Sequence, residues 1–209
     1  SEPGVAIEAF YLFPPGYQKE HRYPAVLHIH GGPQAQWDFG FNYEAQLLAA
    51  QGYIVVMPNP RGAFGYGQKF ASAINKDWGG PDFTDVMAAM DFGIDKGWID
   101  SERMAVYGWS YGGMLTNHVI TKTNRFAAAI TGASATLYVS NYGHDQYQRW
   151  WEEELGFPWL VENKEAWDRI SPFYALEQVP TPTLVVGGED DWNVRIINTK
   201  RLYMVRKRG

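Results

Sequence analysis

Apolar and polar positions repeat along this chain with two different periods, and the change of period marks its elements. VAIEAFYLF (5–13) alternates as an antiparallel strand does, and PPGY stops it. YPAVLHIHGGP (23–33) is a continuous apolar run closed by glycines, the pattern of a buried strand entering a tight loop. NYEAQLLAAQG (42–52) has helical spacing and a glycine stop. YIVVMPNPRG (53–62) predicts a second buried strand. DFTDVMAAMDFGIDKG (82–97) starts acidic, repeats apolar positions at helical spacing and predicts a helix ending near Gly97. RMAVYGWS (103–110) runs from strand into turn, and YGGMLTNHVITKT (111–123) predicts the helix after it. FAAAITGAS (126–134) and TPTLVVGGEDD (181–191) predict two further buried strands, the second ending in a glycine- and acid-rich loop.

Strands alternating with helices imply βαβ units and a mostly parallel sheet flanked by helices, an α/β fold. Ligands bind such sheets at the carboxyl ends of the strands. The loops HGGP, GWSYGG and GGEDDWNV all fall there. The segment from about Leu137 to Pro172 breaks the rhythm; it is rich in Tyr, Trp and acids and predicts a helical excursion over the crevice.

Composition narrows the function classes. A chain of 209 residues with 45% hydrophobic and 20% charged residues has enough apolar material for one domain with a sizeable core. The net charge of −5 argues against nucleic acid, and KRLYMVRKRG (200–209) fits the solvated face of a last helix. No apolar run reaches the roughly 18 residues of a membrane span. SEPGVAIEAFYLFPPGY lacks the charged head and apolar core of a secretory signal, and no compartment follows from the chain. Cysteine is absent, which removes thiolate nucleophiles and Cys-based zinc sites. The 9 Trp and 13 Tyr suit either an aromatic core or a cleft that grips side chains.

The chemistry concentrates at Gly108-Trp109-Ser110-Tyr111-Gly112. G-x-S-x-G between a strand and a helix is the pattern of a serine on a strained turn, with small residues on both sides so that strand and helix can approach. Acyl transfer also needs donors for the oxyanion, each worth about 3 kcal/mol. The Tyr111 N–H, after the nucleophile, is one candidate. A second falls in His30-Gly31-Gly32-Pro33, with Gly32 as the donor. The orienting acid should follow the serine, where Glu189, Asp190 and Asp191 stand together.

HIHGGP, NPRGAFGYG, WGGPDFTDV, YGWSYGG, SPFYAL and GGEDDWNV, in this order along nearly the whole chain, resemble the prolyl oligopeptidase family of serine peptidases. That family includes dipeptidyl-peptidase IV and acylaminoacyl peptidase. The resemblance implies an α/β-hydrolase fold and peptide hydrolysis through an acyl-enzyme. It makes Ser110 the nucleophile and Gly32 and Tyr111 the oxyanion positions. It makes Asp191 the triad acid, from the family spacing to Val194, with Asp190 second. Asn193 would contact the substrate backbone. Val194, Leu137 and Tyr138 would join Tyr111 in lining the pocket for the residue before the scissile bond, with NPRGAFGYG nearby. Arg195 departs from the proline common there. In dipeptidyl-peptidase IV a tyrosine takes the place of His30, which leaves the second oxyanion donor open.

The family's catalytic histidine follows the acid, yet His21, His28, His30, His118 and His144 all precede Asp191. His144, beside Asp145, is the only loop histidine near the crevice, and using it would break the order of the fold. His28 and His30 lack a third metal ligand close by, so no metal and no organic cofactor is expected. The expectation is a catalytic domain over 1–209, truncated at both ends, with the histidine segment beyond Gly209 and the family's β-propeller in the same polypeptide but outside this stretch. Without its base such a chain would hydrolyse poorly, because only the oxyanion hole and binding remain. Expected partners are a peptide substrate and, as often in the family, a second copy in a homodimer. An esterase of the same fold and an inactive binding homologue are the rival readings.

Overall fold

The computed structural model describes residues 4–208. Six strands form one sheet: β1 (Ala9–Leu12), β2 (Tyr23–Ile29), β3 (Ile54–Pro58), β4 (Ile99–Trp109), β5 (Ala128–Gly132) and β6 (Thr183–Val186). Their spatial order is β1-β3-β2-β4-β5-β6. β1 runs antiparallel to β3, whereas β3, β2, β4, β5 and β6 are mutually parallel neighbours. The alternation in VAIEAFYLF therefore marks the outer antiparallel strand, and the continuous apolar runs of β2 and β3 mark central strands covered on both faces.

The helices are α1 (Tyr43–Ala50), α2 (Gln68–Ala71), α3 (Pro81–Asp95), α4 (Tyr111–Lys122), α5 (Gln148–Leu155), α6 (Lys164–Arg169) and α7 (Ile196–Arg208), of which α1, α3, α4 and α7 pack on the sheet. β3 shows why it is central. Ile54, Val55 and Val56 are completely buried, each stabilising the fold by about 1.5–3 kcal/mol. Because side chains alternate along a strand, Ile54 and Val56 join the large core under α3 and α4, while Val55 and Met57 join a smaller one with Ala45 and Ala49 of α1. α1 is capped by Asn42, whose side chain accepts the Ala45 N–H at 2.8 Å. Pro81 opens α3 at a position where a missing N–H costs nothing.

Two expectations need correction, those of buried strands in TPTLVV and in FAAAITGAS. TPTLVV is not a buried strand: Leu184 is 59% and Val186 37% exposed. Among the described residues β6 is the last strand of the sheet and no helix covers that face, so its alternate side chains reach solvent. Ala128 and Ile130 of β5 are exposed in the same way. With Val26, Tyr107, Leu47 and Leu48 they border an apolar groove of about 420 Å³ between α1 and the sheet.

The excursion is helical. It holds two short 3₁₀ turns (Tyr138–Ser140 and Val161–Asn163), α5 and α6. α7 pins it down: Asn198 Nδ2 donates to Asn141 Oδ1 at 2.9 Å, and Arg201 Nη1 donates to Ser140 Oγ at 2.6 Å.

Candidate active site

Ser110 sits between the end of β4 and the start of α4 with φ 57° and ψ −123°. A non-glycine residue there is strained by about 1–3 kcal/mol, and the surroundings hold it in place. Ser110 N–H donates to Gly132 O at 2.9 Å, and Ser110 O accepts from Met114 N–H at 2.9 Å. Packing explains the flanking glycines. A Cβ on Gly108 would come within 2.2 Å of the Gly112 backbone, and one on Gly112 within 2.2 Å of Ile29 O. The elbow is therefore specified by sterics: strand, turn and helix touch backbone to backbone.

The turn carries the serine to the end of β2. A Cβ on Gly31 would lie 3.6 Å from Ser110 Cβ, so the HGGP loop runs directly beside the serine. Gly32, Ser110, Tyr111, Asn193 and Val194 all border one cavity of about 320 Å³. The three loops singled out in the sequence thus meet at the carboxyl edge of the sheet. NPRGAFGYG braces this edge without lining the cavity: Phe64 N–H donates to Ala35 O at 3.0 Å, and Arg61 makes a buried pair with Asp85 of α3 at 2.8 Å.

Of the three acids, Asp191 alone is tied into the backbone of the approach to α7. Its Oδ1 accepts from Asn193 N–H at 2.8 Å and Val194 N–H at 2.9 Å. This turn fixes the carboxylate and leaves Oδ2 open to a donor. Asp190 and Glu189 are exposed and border a separate surface hollow with His144 and Trp192. Asn193 is gripped from above, since Gln146 Nε2 of the excursion donates to its Oδ1. The Asn193 Nδ2 donors stay free to meet an acceptor.

The remaining wall is aromatic. Trp78 stands edge-on to the Tyr111 ring, with centroids 5.5 Å apart, and Trp150 packs on Trp78 at 5.2 Å and on Trp151 at 4.8 Å. With Met114, Asn141 and Tyr147 these rings line the cavity. Leu137 and Tyr138 do not. Leu137 is half-buried away from it, and Tyr138 lies one layer down, fully buried beneath Trp78 and Trp151. The clues to this wall were the WW pair at 150–151 and the lone Trp of WGGP.

No histidine borders this cavity. His28 is buried on β2, stacked on Tyr107, and burial pushes it down to about 4. His30 is turned inward with Nδ1 2.6 Å from Gly31 O, and burial lowers it as well. His118 is buried on α4 against Gly79, and burial pushes it down to about 3. His21 is exposed in the turn before β2. Ser110 Oγ has no hydrogen-bond partner among the described residues. No group of three His, Cys, Asp or Glu among them could hold a metal ion, and none of their helices is long and apolar enough to cross a membrane.

A family model described as the prolyl oligopeptidase family matches residues 37–207. A Bacillus subtilis (strain 168) protein described as an uncharacterized peptidase, YuxL, is 38% identical over 100% of this chain and 32% of its own length. Dipeptidyl-peptidase 5 of Aspergillus fumigatus is 30% identical over 97% of the chain and 29% of its own length. Among solved structures, an acylaminoacyl peptidase in complex with Z-Gly-Gly-Phe-chloromethyl ketone superposes with a TM-score of 0.90 at 28% identity, covering 98% of this chain and 33% of that one. The chain thus spans about a third of the length of the relatives it matches.

Proposed function

The chain belongs to the prolyl oligopeptidase family of peptidases, and from that premise we propose that it is the catalytic domain of a serine peptidase acting on oligopeptides. Ser110 Oγ attacks the scissile carbonyl. The oxyanion that forms is held by the N–H groups of Gly32 and Tyr111, at the N-terminus of α4, where negative charge is favoured. A histidine beyond Gly209, oriented by Asp191 Oδ2, takes the serine proton and delivers it to the leaving amine. Water then releases the acyl group by the reverse sequence. Asn193 Nδ2 donates to the substrate backbone.

The observation that carries this reading is the convergence of Gly32, Ser110, Tyr111 and Asn193 on one cavity, with Ser110 held at positive φ. The cavity suits a large apolar side chain before the scissile bond, because Trp78, Trp150 and Met114 line it. Relatives named for dipeptidyl and acylaminoacyl release support removal of short units from the amino end. Their greater length supports a further domain in the same polypeptide, for which the resemblance implies a β-propeller; a homodimer completes the proposal.

The test uses the full polypeptide carrying this chain, assayed on peptide p-nitroanilides and on p-nitrophenyl esters. Peptide amides should be hydrolysed, and Ser110→Ala should lower kcat by at least about 10⁴-fold. Ester cleavage without amide cleavage would point to an esterase instead.

A further inference from the structure

Asp82, the second residue of α3, is completely buried and is held by hydrogen bonds from its surroundings. The groups hydrogen-bonded to the Asp82 carboxylate are donors. Oδ1 accepts from Phe83 N–H at 3.0 Å, and Oδ2 accepts from Gly79 N–H at 3.0 Å and from the Tyr111 hydroxyl. These donors select the ionised form, as does the N-terminus of α3. Burial opposes them and pushes the carboxyl up to about 6. A buried charge is costly to keep, so the contacts it makes need an account.

The answer lies at the other end of Tyr111. This residue follows Ser110, and its backbone N–H is an oxyanion donor in the reading above. Its ring is buried and clamped edge-on against Trp78, and its hydroxyl ends on Asp82. Oxyanion donors act only when aimed at the place where charge develops. We propose that Asp82 is a positioning residue for the reaction: by holding the Tyr111 hydroxyl, it sets the direction of the Tyr111 N–H beside Ser110. Asp82 touches no substrate and acts only through Tyr111.

This inference rests on the peptidase reading, and the experiment separates the two. Tyr111→Phe, Asp82→Asn and the double variant are compared in the full polypeptide. Tyr111→Phe removes only the hydroxyl. Asp82→Asn replaces one acceptor by an amide donor, which must then face another donor. Each single variant should lower kcat by about 10- to 100-fold while KM stays within about twofold, because the oxyanion contact is made only in the transition state. The rate of Ser110 phosphonylation by a fluorophosphonate should fall in parallel. The double variant should be no worse than the worse single variant, as expected for one chain of contacts. If Asp82→Asn does not fold, Tyr111→Phe alone decides. An active wild type with Tyr111→Phe at full kcat, or with losses that multiply in the double variant, overturns the inference alone. A wild type that cleaves no peptide overturns the peptidase reading and this inference with it.

Discussion

The two walls of the Ser110 cavity are built on different principles. On the elbow side the contacts are between backbones: Gly108 against Gly112, Gly112 against Ile29 and His30, and Ser110 bonded to Gly132. On the canopy side they are between side chains: Trp78, Trp150 and Trp151, drawn from two distant segments. A backbone-built wall tolerates no added atom, but its chemistry does not depend on which side chains surround it. A side-chain-built wall can be recut by mutation with the turn left intact. The first suits a reaction common to many substrates and the second a choice among them.

The largest effect is expected from a single methyl group on the elbow. Gly112→Ala puts a Cβ 2.2 Å from Ile29 O and 2.8 Å from His30 O, with no flexible side chain to yield. We expect a loss of at least about 4 kcal/mol, or no folded protein, measured by chemical unfolding. A domain that folds normally would show that the elbow is looser than described.

Next comes the acid loop, where the Asp191 side chain is tied to the backbone before α7. Asp191→Asn should lower kcat by about 10³- to 10⁴-fold, whereas Asp190→Asn should stay within about twofold. Equal losses from both would remove the distinction drawn between the tied and the exposed acid.

The smallest effect is expected on the canopy. Trp150→Ala should lower kcat/KM for substrates with a large apolar residue before the scissile bond by about 10-fold. It should leave phosphonylation of Ser110 unchanged. A uniform loss across substrates would mean that the aromatic wall supports the elbow and does not select.

The same division explains what could be read in the sequence. G-x-S-x-G, HGGP and the Asp191-Trp192-Asn193-Val194 spacing are local, because each turn is decided by residues within a few positions of one another. Their meeting place followed from strand order alone, since βαβ units put such loops on one edge. The canopy was not legible at this level. Tyr138 was expected in the cavity and sits beneath it, because Trp78 and Trp151, far apart in sequence, come between. The role of Asp82 was hidden likewise: in the sequence it is one acid opening a helix, and only the fold brings the Tyr111 hydroxyl to it. β6 misled for another reason. An apolar run reports what a strand is built to cover, and among the described residues one face of this strand has no neighbour.

Whether Ser110 is the nucleophile is decided by treating the full polypeptide with a fluorophosphonate and mapping the adduct by mass spectrometry. A single phosphonylated residue, Ser110, is expected, with labelling and peptide hydrolysis lost together in Ser110→Ala. A polypeptide that cleaves peptides while Ser110 stays unlabelled would contradict that role.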